Sequence, residues 1–148
     1  MLFSPSVQHA LRALRYLASQ EAPGPVLARD IAAAEGIPKP YLSKILYRLR
    51  LRGLVKSTKG PGGGYELAVP AHAVRVSQVL EVFDDRADLG TPCVLGGASC
   101  DEYDPCPLHG RWERLQTQYF TDIASVSLDE IAHRTGRKTR SRQRGLSS

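Results

Sequence analysis

Apolar residues at Val7, Ala10, Leu11, Leu14 and Leu17 recur at three- and four-residue intervals, the spacing that turns one face of an α-helix toward a core. Ser4 and Pro5 stand just ahead of them as a cap and a first-turn proline, so "SPSVQHALRALRYLAS" predicts a helix. "EAPGPV" breaks it with two prolines and a glycine. "LARDIAAAEG" reads as a short alanine-rich helix closed by Gly36. In "IPKPYLSKILYRLRLRG" a third helix begins at prolines tolerated only in its entry and ends at Gly53. Its buried stripe is Leu42, Ile45, Leu46 and Leu49, with Lys39, Ser43, Lys44, Tyr47 and Arg48 on other faces. The pattern then changes period. "LVKSTK" and "GYELAVP" predict two short strands joined by "GPGGG". "VSQVLEVFDD" and a stretch from about Leu108 to Ala124 return to helical spacing, and "SLDEIAHR" carries a capping box of Ser127 and Glu130. No internal repeat is present. The expected fold is mainly α with a small β-hairpin (α+β).

Two helices across a tight glycine turn, followed by a glycine-rich hairpin, are the elements of a winged helix-turn-helix. In that arrangement the second helix offers its polar face to the DNA major groove. Lys39, Tyr41, Ser43 and Lys44 occupy the groove-facing end here. The helix entrance also presents unpaired amides that favour a phosphate. The hairpin carries Lys56 and Lys59, and its tip sets Lys59 beside Gly60, Gly62 and Gly63, slim enough for the negatively charged minor groove. A helical hairpin with a surface turn is the plain alternative, and the basic glycine tip weighs against it.

Charge changes the picture only locally. Of the net +5, the tail "GRKTRSRQRGLSS" supplies five positive charges through Arg137, Lys138, Arg140, Arg142 and Arg144. The rest holds fifteen basic and fifteen acidic residues, so clustering, not total charge, must carry any affinity for nucleic acid. The tail is either a solvated end or a nonspecific phosphate anchor. No run of eighteen apolar residues spans a membrane. Arg12 and Arg15 interrupt any signal-peptide core, so a cytoplasmic location is expected. No catalytic triad, phosphate-cradling lysine loop or pair of catalytic carboxylates is visible, so the chain is not expected to be an enzyme.

All three cysteines fall in "CVLGGASCDEYDPCPLH". Six residues separate Cys93 from Cys100, five separate Cys100 from Cys106, and two separate Cys106 from His109. Three thiols in a reducing compartment point to metal binding or redox sensing ahead of disulfides. Structural zinc sites usually pair ligands two to four residues apart, closer than Cys93 and Cys100. Wider spacing suits an iron–sulfur cluster, and imidazole can replace a thiolate on iron, which makes His109 the candidate fourth ligand. Structural zinc and a metal-free thiol switch remain as alternatives. From another class, so does a small iron–sulfur redox protein, which would leave the basic hairpin without a role.

"YLSKILYRLRLRGLVKSTKGPGGGYEL" resembles the winged-helix transcriptional regulators of the IscR/NsrR/RirA family. Their wing is a basic residue followed by Gly-Pro-Gly-Gly-Gly-Tyr, here Lys59 to Tyr65. The likeness runs from the first helix through the cysteine segment to the long helix, leaving out only the basic tail. It implies a homodimeric DNA-binding regulator, a repressor by expectation, with a long C-terminal dimerisation helix bearing Trp112, Leu115, Tyr119 and Ile123. It also implies a sensory iron–sulfur cluster on Cys93, Cys100, Cys106 and His109, with [2Fe–2S] favoured over [4Fe–4S]. The first cysteine interval is one residue longer than the family's usual five. Where some members ligate through an aspartate of the partner's first helix, this chain has Gln8, with His9 beside it. His9 of the partner subunit is therefore the rival to His109. The expected organisation is a winged helix-turn-helix over 1–75, the cysteine loop and dimerisation helix over 76–135, and the basic tail over 136–148.

Overall fold

The computed structural model of the protein describes residues 3–83, 95 and 105–133. Helix α1 (Pro5–Ala18) starts where expected: the Ser4 hydroxyl accepts the Val7 amide at 3.3 Å and Pro5 fills the first helical position. Its stripe of Val7, Ala10, Leu14 and Leu17 is buried. Helix α2 (Ala28–Glu35) ends at Gly36, whose φ of 64° lies in the left-handed region that stops helices. Helix α3 (Lys39–Leu51) buries Leu42, Ile45, Leu46 and Leu49, as its spacing predicts. Removing one such side chain typically costs about 2–5 kcal/mol, so this stripe fixes how α3 is presented.

Glu35 ties α1 to the end of α2. Its carboxylate accepts from Arg12 Nε at 3.1 Å and Arg15 Nη2 at 3.4 Å, while Arg12 also donates to the Glu35 backbone carbonyl. Cations at that end complement the helix dipole and satisfy an orphan carbonyl.

Strands β1 (Val55–Thr58) and β2 (Gly64–Leu67) form an antiparallel hairpin in which Val55 faces Leu67 and Thr58 faces Gly64. The hairpin is not free-standing. Val26, just ahead of α2, bridges to Tyr65 through two backbone hydrogen bonds, of 2.8 and 2.7 Å.

A 3₁₀ turn (Ala71–Ala73) leads to helix α4 (Val76–Phe83), and helix α5 (His109–Asp122) follows the cysteine segment. The chain then returns to the start of α4. Ser77 donates to the Ala124 carbonyl at 2.8 Å, Val76 to Val126 at 3.0 Å, and Leu128 to Val74 at 2.8 Å. A last helical segment over 128–133 opens with the predicted capping box: Ser127 N–H donates to Glu130 Oε2 at 2.8 Å, and Glu130 N–H to Ser127 Oγ at 3.3 Å. Those amide and hydroxyl donors hold the Glu130 carboxyl below its ordinary value, with Arg75 adding to the effect. Ala124 and Leu128 join Leu14, Leu46 and Leu80 in one core that continues across residue 75.

Candidate functional site

The exposed side of α3 and the hairpin form one surface. Lys39 and Lys44 are exposed there, and Ser43 is half-buried with its hydroxyl donating to the Lys39 carbonyl at 3.0 Å. Tyr47 is 51% exposed, large for an aromatic, and extends the polar face by another turn. Tyr41 stands apart from these residues. It is half-buried, its hydroxyl shares a 2.8 Å hydrogen bond with Ser6 of α1, and its ring meets His9 edge-on at 5.3 Å. It braces α3 against α1 before it can offer anything outward.

The register of the hairpin sorts its two lysines. Lys56 lies directly opposite Glu66, and the side chains pair at 3.5 Å. Lys59 is exposed at the turn, and among the described residues it makes no ion pair. Gly60 and Gly62 have φ of 90° and 73°, a conformation that favours glycine, with open space around the missing side chains. Gly63 is different: a β-carbon there would lie 2.2 Å from the Thr58 carbonyl oxygen, so the third glycine closes the turn.

Docking of the hairpin beside α2 creates a groove of about 440 Å³, lined among others by Ala28, Arg29, Lys39, Thr58, Gly60 and Tyr65. Arg29 is the addition to the residues read from sequence. It projects from the first turn of α2, 72% exposed, with Asp30 only at 3.9 Å. A basic residue at a helix start beside a glycine hairpin was the available signal, but its meaning depends on the Val26–Tyr65 bridge, which joins segments far apart in sequence.

At the cysteine segment, Cys106 and His109 occupy one turn at the head of α5. Both are half-buried, and the His109 amide donates to the Cys106 carbonyl at 3.0 Å. Cys93 and Cys100 lie outside the described residues, as does the basic tail. A thiol and an imidazole carried on one turn of backbone fit the donor chemistry of an iron–sulfur site, which takes sulfur and nitrogen ligands. His9 is packed on Tyr41, and its Nδ1 is buried with no hydrogen-bond partner among the described residues.

Helix α5 has no buried residue. Leu115 is 63% and Ile123 37% exposed, and Trp112 is half-buried with no hydrogen-bond partner for its indole Nε1–H among the described residues. Tyr119 is turned to its own core, with Phe3 at 6.3 Å and Phe120 at 5.4 Å.

Residues 3–134 match the family model of Rrf2, described as an iron-dependent transcriptional regulator. The chain is 36% identical over 124 residues to the HTH-type transcriptional regulator IscR of Xenorhabdus nematophila, covering 84% of this chain and 74% of the relative. It is 33% identical over 126 residues to IscR of Escherichia coli O1:K1, covering 85% and 76%. Among solved structures, T. potens IscR superposes with a TM-score of 0.69 at 26% identity, over 87% of this chain and 85% of that one. CymR, the global cysteine regulator of B. subtilis, superposes with a TM-score of 0.73 at 24% identity, over 88% and 95%, a likeness of fold.

Proposed function

Because this chain belongs to the Rrf2 family of helix-turn-helix transcriptional regulators, we propose that it is a homodimeric, DNA-binding sensor whose affinity for its operator is set at the cysteine segment. Lys39, Ser43, Lys44 and Tyr47 face the major groove, Lys59 and the glycine tip enter the minor groove, and Arg29 holds the backbone phosphate between them. Lys56, Gly60, Gly62 and Gly63 shape and orient the wing. The half-buried Trp112 and the exposed Leu115 on a helix that buries nothing, with the exposed Ile123 at its C-terminal cap, support α5 as the dimer contact, with Tyr119 anchoring it.

Cys93, Cys100, Cys106 and His109 would hold an iron–sulfur cluster, [2Fe–2S] favoured; when bound, such a group supplies reversible redox chemistry and sensitivity to oxidants. The observation that carries this reading is the pairing of Cys106 and His109 on the turn that starts α5. The chain's own part is to join ligands to the dimer helix. Any rearrangement at Cys106 is then felt along α5, where the separation of two recognition helices is set. The test is a visible absorption spectrum of anaerobically purified protein with iron and sulfide quantified. Charge-transfer bands with about two irons and two sulfides per chain support the reading. Colourless protein containing zinc, or colourless metal-free protein that forms a disulfide, replaces it with the structural-zinc or thiol-switch alternative.

A further inference from the structure

Arg48 stands beside the α3 residues placed against DNA and has no part in that reading. Its guanidinium lies 4.7 Å from the centroid of the Phe83 ring, and its Nη2 donates to the carbonyl oxygen of Val82. Val82 and Phe83 are the last two residues of α4. A helix C-terminus exposes carbonyls without intrahelical partners and favours a cation. Phe83 offers a ring face on which a guanidinium stacks. Arg48 is therefore held by both features of the same helix end. Phe83 is also the residue from which the segment carrying Cys93, Cys100 and Cys106 departs. On its other side, Arg48 lines a shallow surface groove of about 450 Å³ with Ser43, Lys44 and Tyr47, the outward face of α3. One side chain thus touches the root of the cysteine segment and the surface read against DNA.

We propose that Arg48 is the positioning residue that couples the two: its hold on Val82 and Phe83 transmits the state of the cysteine segment to α3. This rests on the sensing function proposed above. A shift of the segment that turns the Phe83 ring or frees the Val82 carbonyl removes a partner from Arg48. The guanidinium then moves within the groove beside Lys44 and Tyr47. Among the described residues Arg48 supplies the polar and stacking link between α3 and α4, beside the apolar packing of their shared core.

The experiment is a thermodynamic cycle on one operator duplex at fixed salt. DNA affinity is measured for the full-length protein and for a Cys93→Ala/Cys100→Ala/Cys106→Ala variant, each with and without Phe83→Leu. Phe83→Leu leaves every DNA-facing charge in place and keeps an apolar side chain, while removing the ring from under Arg48. In the parent background the triple substitution should change affinity about fivefold or more, the scale of an ordinary allosteric coupling. With Phe83→Leu that change should shrink to within about twofold, and Arg48→Lys, which keeps the charge but not the planar stack, should shrink it likewise. A cysteine effect that persists undiminished in both variants overturns the role of Arg48 and leaves sensing intact. No cysteine effect in the parent background overturns the sensing reading, and the coupling role with it. Because the readout is a ratio within each background, a merely structural loss that lowers all affinities equally does not imitate the result.

Discussion

A β-carbon on Gly64 would stand 2.4 Å from the carbonyl oxygen of Val26, at a backbone φ of 144° that side chains rarely adopt. The last glycine of the motif thus serves the close approach that lets Val26 and Tyr65 exchange hydrogen bonds. Gly64→Ala should lose that docking, at about 3 kcal/mol from backbone strain and two hydrogen bonds together. Gly62→Ala meets open space and should cost only the left-handed strain, about 1–2 kcal/mol. Urea midpoints for the two variants give the order, and equal midpoints would refute the docking role.

The pairing of Lys56 with Glu66 separates the two wing lysines in a salt titration. Lys59→Ala should reduce the slope of log affinity against log salt by about 1, the value for one lost phosphate contact. Lys56→Ala should change it less, because its charge is already answered at 3.5 Å. A larger effect from Lys56 would place that strand, not the tip, against the backbone.

Tyr41→Phe deletes the hydroxyl shared with Ser6 and should lower stability by about 1 kcal/mol. Its preference among randomised DNA sequences should stay that of the parent, whereas substitutions at Ser43 or Lys44 should alter it. Selection on a random DNA pool, set beside thermal unfolding, distinguishes the brace from the reader.

His109→Ala should yield a cluster that assembles but decays faster in air, and His109→Cys should restore its lifetime and lower its reduction potential, since thiolate donates more charge than imidazole. His9→Ala should instead act on the packing with Tyr41 and leave the lifetime unchanged. The reverse outcome in a bleaching assay would make His9 of the partner subunit the ligand.

Glu130 gives the fold an acid sensitivity of known sign. Its carboxyl is held below its ordinary value of 4.5, chiefly by the Ser127 amide and then by the Ser127 hydroxyl. Its contribution is complete above that value and is lost as pH falls through the lower, folded-state value. Glu130→Ala should therefore be less stable than the parent at pH 7, with the gap closing as pH drops below about 4.5, measurable by denaturation midpoints across that range.

What the sequence made legible was whatever depends on near neighbours. The Val7–Leu17 and Leu42–Leu49 stripes, the Ser4 cap, Gly36 and the Ser127–Glu130 box all operate within a turn or two, and each is where its spacing puts it. Tyr41 illustrates the limit. Its position at the head of α3 suggests a base contact, whereas its contacts with Ser6 and His9, thirty residues upstream and more, have no signature in the spacing. The pairing of Lys56 with Glu66 needed the strand register, and Arg29 gained a setting only when Val26 met Tyr65. Arg48 and Phe83 gave no pattern at all, since a cation stacked on a ring across two helices has no periodicity. At the cysteine segment the sequence names four ligand candidates, of which Cys106 and His109 are among the described residues.

The return of residues 124–128 to the start of α4 bears on how the protein is made. Ala124 and Leu128 belong to the core against which α1 and α3 pack, and the Val76 and Ser77 amides and the Val74 carbonyl find their backbone partners in that late segment. During synthesis the helix-turn-helix therefore emerges from the ribosome long before its floor exists. The last two buried residues of that core, Ala124 and Leu128, are translated some seventy residues after α3. A polypeptide cut short within the cysteine segment would lack Ala124 and Leu128, and with them the backbone partners of Val76 and Ser77.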